Sequence, residues 1–156
     1  MLILNGVSGK LGGMLRARLS EELKGALKAK DRRRASTIRL ILAAMKDRDI
    51  ILRGSGKAEC ISDDEILSLL QTMVRQRNES IELFEQGKRL DLAERERKEI
   101  EVIRSFMPEQ LNEEAIAVAT REVIGELNAE GLKDMGRVMG ALKAKYAGQM
   151  DFGNPL

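Results

Sequence analysis

The chain has 156 residues, room for one domain or two small packed ones, and 43% of them are hydrophobic. Only 3% are aromatic and two are proline, so any core is built from Leu, Ile, Val, Met and Ala; with abundant Glu, Lys and Arg this composition predicts an all-α, multihelical fold. No apolar run of about 18 residues marks a membrane span, the absence of His removes the commonest general base and metal ligand, and the lone Cys60 excludes an internal disulfide and points to a reducing, cytoplasmic setting.

Charge is balanced overall, with 27 basic and 25 acidic side chains, but unevenly spread. Residues 1–58 carry a net +9, residues 59–116 a net −7, and residues 117–156 none. Such polarity orients the chain toward an anionic partner, holds two helical layers of one fold together, or merely solvates them.

Residues 1–13 hold five Gly or Ser and show no period, which predicts a flexible leader. A first helix is expected over Met14–Ala29 on the stripe Leu15, Leu19, Leu23, Leu27. Asp31–Arg34 reads as a basic corner, either a solvated turn or a phosphate contact. A second helix, Arg34–Leu52, buries Ile38, Ile41, Leu42, Met45 and Leu52, and Gly54-Ser55-Gly56-Lys57 stops it. That stop is no phosphate loop, because Ala58 follows the lysine and no strand precedes it.

The third helix, Asp63–Gln86, opens on a capping box, Ser62 with Glu65. Ile66, Leu69, Leu70, Met73, Ile81 and Phe84 form its stripe and Gly87 ends it. Arg77 falls near that stripe and needs a carboxylate partner or must snorkel. The fourth helix, Leu92–Ser105, takes Asp91 as N-cap, and its alternating charges, such as Glu94 with Lys98, read as a solvated face rather than a catalytic dyad or metal site. Pro108 forces a boundary. The division is therefore 14–107 and 108–156. A fifth helix, Glu113–Asn128, is capped by Asn112 and buries Ile116, Ala119, Val123 and Leu127.

In Lys133–Gly148, Asp134 is the expected N-cap. Met135, Val138, Met139, Leu142 and Tyr146 make an apolar face, and Gly148 is the left-handed stop. Gly136 and Gly140 are unusual, because each costs about 1 kcal/mol relative to alanine inside a helix. Two explanations stand: close helix–helix packing, or close approach of a partner backbone such as RNA beside Lys133, Arg137, Lys143 and Lys145.

Three marks together carry a family resemblance. Arg75-Gln76-Arg77-Asn78-Glu79-Ser80, with Phe84 and Gly87–Leu92 behind it, is the first. Phe106-Met107-Pro108-Glu109-Gln110-Leu111 is the second, and Asp134-Met135-Gly136-Arg137-Val138-Met139-Gly140, followed by Gly148–Gly153, is the third. In order and spacing they resemble the GatB/YqeY family, over about residues 14–153. That family includes stand-alone helical proteins and the tail domain of the B subunit of the tRNA-dependent amidotransferase. The resemblance implies a four-helix part followed by a smaller three-helix part, and association with tRNA. Its members usually extend past the point where this sequence stops.

The resemblance also carries a carbon–nitrogen ligase association, but no catalytic constellation, cofactor site or metal site is visible, and the reading leans away from an enzyme. The expected activity is tRNA binding, as an accessory to tRNA-dependent amidation, through Lys133, Gly136, Arg137, Gly140, Lys143 and Lys145, with Arg121 next. The scarcity of aromatics argues for recognition of folded RNA shape rather than stacking on single strands. The alternative is a helical protein–protein module with no RNA affinity, whose methionine-bearing faces dock partner helices; beside tRNA, the partner expected is a protein of the translation or aminoacyl-tRNA machinery.

Overall fold

The structure is a computed structural model that describes residues 13–150. Its elements are α1 (Met14–Lys28), α2 (Arg32–Gly54), α3 (Asp63–Gln86), α4 (Leu90–Arg104), α5 (Glu113–Leu127), a 3₁₀ turn (Leu132–Asp134) and α6 (Met135–Lys145). The described residues are all-α, as expected. The expected leader lies, apart from Gly13, outside the described residues. The chain divides into two compact units at Phe106/Met107.

In the first unit α3 and α4 form an antiparallel pair, α1 and α2 form another, and α2 also packs on α4. The core is aliphatic, with Leu19, Ile38, Ile41, Met45, Ile66, Leu70 and Ile103 all essentially inaccessible. Leu27 drops out of the expected α1 stripe, 47% exposed, and Ala26 is buried instead. Each four-residue step drifts about 40° around a helix, so after three steps the stripe has turned away from the core.

The basic corner is not a corner. Asp31 is the N-cap of α2 and accepts the Arg34 N–H at 3.1 Å, so Arg32–Arg34 form the first helical turn. The capping box of α3 forms as read. Asp91 does not cap α4; the helix starts at Leu90, and Asp91 sits in its first turn, paired with Arg89 at 3.1 Å. Glu94 pairs with Arg97 rather than Lys98. Arg77 finds its carboxylate partner: its Nε donates to Glu99 at 2.8 Å, with Glu96 at 3.9 Å.

Three helix ends reverse by one hydrogen-bond scheme. Asp31 N–H donates to Ala26 C=O, Arg89 to Phe84 and Ala129 to Ile124. Each is the six-to-one bond of a Schellman turn, which needs a left-handed residue just before the donor. Lys30, Lys88 and Asn128 supply it, with φ of 59°, 57° and 51°. Gly87 itself has an ordinary φ of −84°.

The first unit closes on Phe106, which is 2% exposed. The Arg18 and Arg34 guanidinium groups lie 5.1 and 5.4 Å from its ring centroid, a favourable arrangement of cations against a π-face. Arg18 also donates to Ser105 C=O at 2.8 Å.

The second unit is a helical hairpin. Ala119 and Val123 of α5 meet Val138 and Leu142 of α6, with Leu127, Met139 and Tyr146 at the edge. Asn112 caps α5 by accepting the Ala115 N–H at 2.8 Å. The segments flanking the hairpin are tied together: Leu111 N–H donates to Gln149 C=O at 2.8 Å, and the Gln110 amide donates to Gly148 C=O. Gly148 has a φ of 77°, the left-handed stop expected of it. Among the described residues this unit has two α-helices and the 3₁₀ turn, where the resemblance implied three helices.

Candidate nucleic-acid interface

The start of α6 is built around Asp134, which is 9% exposed. It stands at the N-cap position but makes no side-chain cap bond. Its carboxylate turns back instead. It accepts the Glu130 N–H at 3.0 Å and an Arg137 N–H at 3.0 Å. The expected cap is thus a brace between the α5–α6 connection and the first turn of α6.

Arg137 completes that brace by donating to Leu127 C=O at 3.0 Å, at the end of α5. Lys145 makes a second brace, 3.1 Å from the Glu126 carboxylate of α5. That hydrogen bond and charge hold the Lys145 ammonium above its ordinary pKa. Lys133 and Lys143 are exposed and have no ion pair among the described residues.

Val138 and Leu142 point α6 inward. At 100° per residue, Gly136, Gly140 and Ala144 fall on the opposite side, with Lys143 on one flank and Arg137 on the other. All three are exposed. A β-carbon built on Gly136 or Gly140 meets no atom within 4 Å, and neither glycine has a positive φ. Gly125, near the end of α5, is equally open, but only α6 lines up two glycines.

Among the described residues nothing packs into the space the glycine pair leaves, which counts against the packing explanation. What remains is a bare backbone strip one helix wide, with Lys133 at its head and Lys143 beside it. Arg121 does not join it. Arg121 lies on α5 opposite Ala119 and Val123, so it faces away from the hairpin on the other side.

Sequence reasoning placed the cations but missed their division of labour. Asp134, three residues before Arg137, is the one local signal of a brace; the Leu127 and Glu126 partners lie ten and nineteen residues away and leave none. Among the described residues no three Cys, Asp or Glu side chains gather as a metal site, and no helix is long and apolar enough to cross a membrane.

A family model described as "Yqey-like protein" matches residues 16–154. The chain is 38% identical over 91 residues to "Altered inheritance of mitochondria protein 41, mitochondrial" of Lachancea thermotolerans, covering 58% of this chain and 46% of that one. The protein of the same name from Clavispora lusitaniae is 38% identical over 114 residues, 73% of this chain and 60% of its own. That from Pyrenophora tritici-repentis is 31% identical over 135 residues, 85% and 71%. The chain thus spans only about half the length of the first two.

These names assign those proteins to mitochondria and overturn the cytoplasmic expectation. A lone cysteine reports only that no internal disulfide forms, and does not say which compartment holds the chain.

Proposed function

The chain belongs to the YqeY-like family, and on that footing we propose that it is a non-catalytic helical module that binds folded RNA, tRNA first, through the outer face of α6. The setting proposed is an accessory role in tRNA-dependent amidation. On the names of its relatives, that setting is mitochondrial.

One observation carries the reading. Gly136 and Gly140 lie open to solvent, so their cost of about 1 kcal/mol each is not offset inside the fold. A partner that approaches the α6 backbone closely offsets it on binding. A polyphosphate backbone suits the position, because Lys133 and Lys143 have no ion pair among the described residues and can neutralise phosphates, releasing counterions.

Lys133→Gln/Lys143→Gln tests the contact while leaving both braces intact. Labelled bulk tRNA is titrated against both proteins across a salt series. Wild type binds at micromolar or tighter concentration and weakens steeply with salt. In the variant the slope of log K against log salt falls in magnitude by about 1.4–1.8, as two lost phosphate contacts require. No binding by wild type at low salt sinks the reading; an unchanged slope moves the site elsewhere.

A further inference from the structure

The α2 helix carries a second surface, in the other unit. Arg32, Arg39, Lys46 and Arg53 recur every seven residues. At 1.5 Å per residue this is a cation about every 10.5 Å over about 30 Å. All four are exposed, and none has a side-chain hydrogen bond or ion pair among the described residues. Arg53 also lends its charge to buried Asp49.

The inward face of α2 is Ala35, Ile38, Ile41 and Met45. The outward face is Ser36, Leu40, Ala43, Asp47, Ile50 and Gly54, alternating four- and three-residue steps. That spacing is the a/d seam of a coiled-coil helix, and the four cations then occupy every flanking g position beside it. The seam is uncovered: Leu40 is 46% exposed and Ile50 52%, with Ile51 at its edge 73%.

The acids of α1 and α2 that could neutralise the row are mostly spent elsewhere. Asp49 holds Arg16, Glu22 holds Arg34, and Asp31 caps α2. Asp47 is the one carboxylate in the seam itself, so this face sets four cations against one acid.

We propose that this face docks an amphipathic helix of a protein partner whose own seam is small and aliphatic and whose flanking positions are acidic. A helix packed alongside at a shallow angle presents its side chains with the same seven-residue repeat, so its carboxylates meet all four cations in register. Ser36, Ala43 and Gly54 let it come close, while Leu40 and Ile50 supply the apolar contact. An RNA backbone would meet the cations but leave the aliphatic seam unused, and this face has no aromatic ring on which bases could stack.

The probe is a synthetic four-heptad peptide with Leu and Ala at its seam and Glu at every flanking position, whose self-repulsion keeps it single. It is titrated against the full chain by fluorescence anisotropy. Expected is saturable binding at low salt that weakens at least about tenfold in high salt. It is lost in Arg32→Glu/Arg39→Glu/Lys46→Glu/Arg53→Glu and recovered there by a peptide with Lys in place of Glu. The Leu40→Ser/Ile50→Ser chain loses roughly tenfold but keeps the salt dependence. Circular dichroism checks folding, and if the reversed row unfolds the chain, the four Gln substitutions replace it and must lose the Glu peptide.

No saturable binding at low salt overturns the proposal, as does failure of a folded reversed row to take the Lys peptide. A fall in tRNA binding on reversing the row, with no peptide bound, reassigns the face to RNA. The α6 face is untouched by these variants, so the two readings fail separately.

Discussion

Asp49→Ala lowers the stability of the first unit by about 3 kcal/mol, read as a shift in its denaturant midpoint. Asp49 is 7% exposed and ties α1 and α2 to the segment that leads into α3. Both Arg16 terminal nitrogens donate to it, at 2.9 and 3.0 Å, and the Ile61 N–H donates at 2.9 Å. Removing it strands a guanidinium and a buried N–H. Breaking a buried pair costs about 3–5 kcal/mol, and the 29% exposure of Arg16 sets the value at the lower end.

The same pair sets a pH dependence. Burial alone would raise the Asp49 carboxyl, but the hydrogen bonds from Arg16 and Ile61, with the charges of Arg16 and Arg53, outweigh it and hold the group below its ordinary value. The folded state therefore favours the ionised form. Its contribution is complete above the unfolded value, near 3.9, and is lost as pH falls through the lower folded value. Asp49→Asn is less stable at pH 7 and loses less on going to pH 3. Asp63 acts in the opposite sense, since burial raises it, so the comparison is with wild type rather than with a flat line. Parallel stability–pH curves for wild type and Asp49→Asn would contradict the assignment.

Leu142→Ala separates the two units. Leu142 is wholly buried in a core of four side chains with Ala119, Val123 and Val138. Truncating a buried leucine costs roughly 2–5 kcal/mol, and a unit of about fifty residues has little reserve. In hydrogen exchange the α5 and α6 amides lose protection while those of α1–α4 keep theirs. A uniform loss along the chain would contradict this division.

The boundaries written in local chemistry were legible. Ser62 with Glu65 and Asn112 with Ala115 are bonds between residues three apart, and α3 begins and ends where its periodicity and caps predict. Arg77 advertised its need by standing beside an apolar stripe, although which helix answers it was not readable. The failures are choices among competing neighbours and, for the glycine strip, of packing. Asp91 and Asp134 are good cap types, but Arg89 captured one and Glu130 and Arg137 the other. The left-handed turns fell to Lys30 and Lys88 because the Schellman hydrogen bonds fix the position and the lysines bear the conformational cost. Whether Gly136 and Gly140 faced a helix or open space depended on which side of α6 the hairpin buried, and only the packing decides that.

On the proposed reading the bare strip on α6 takes an RNA backbone, and Gly136→Ala/Gly140→Ala puts that to the test. Open space surrounds both positions and both have helical φ, so alanine should stabilise the helix by about 1 kcal/mol at each. The measurement is tRNA affinity at fixed salt, with thermal stability of the same samples alongside. Expected is a variant that melts higher and binds tRNA at least about tenfold more weakly, because two methyl groups hold the backbone off. A variant that melts higher and binds as wild type does would contradict it.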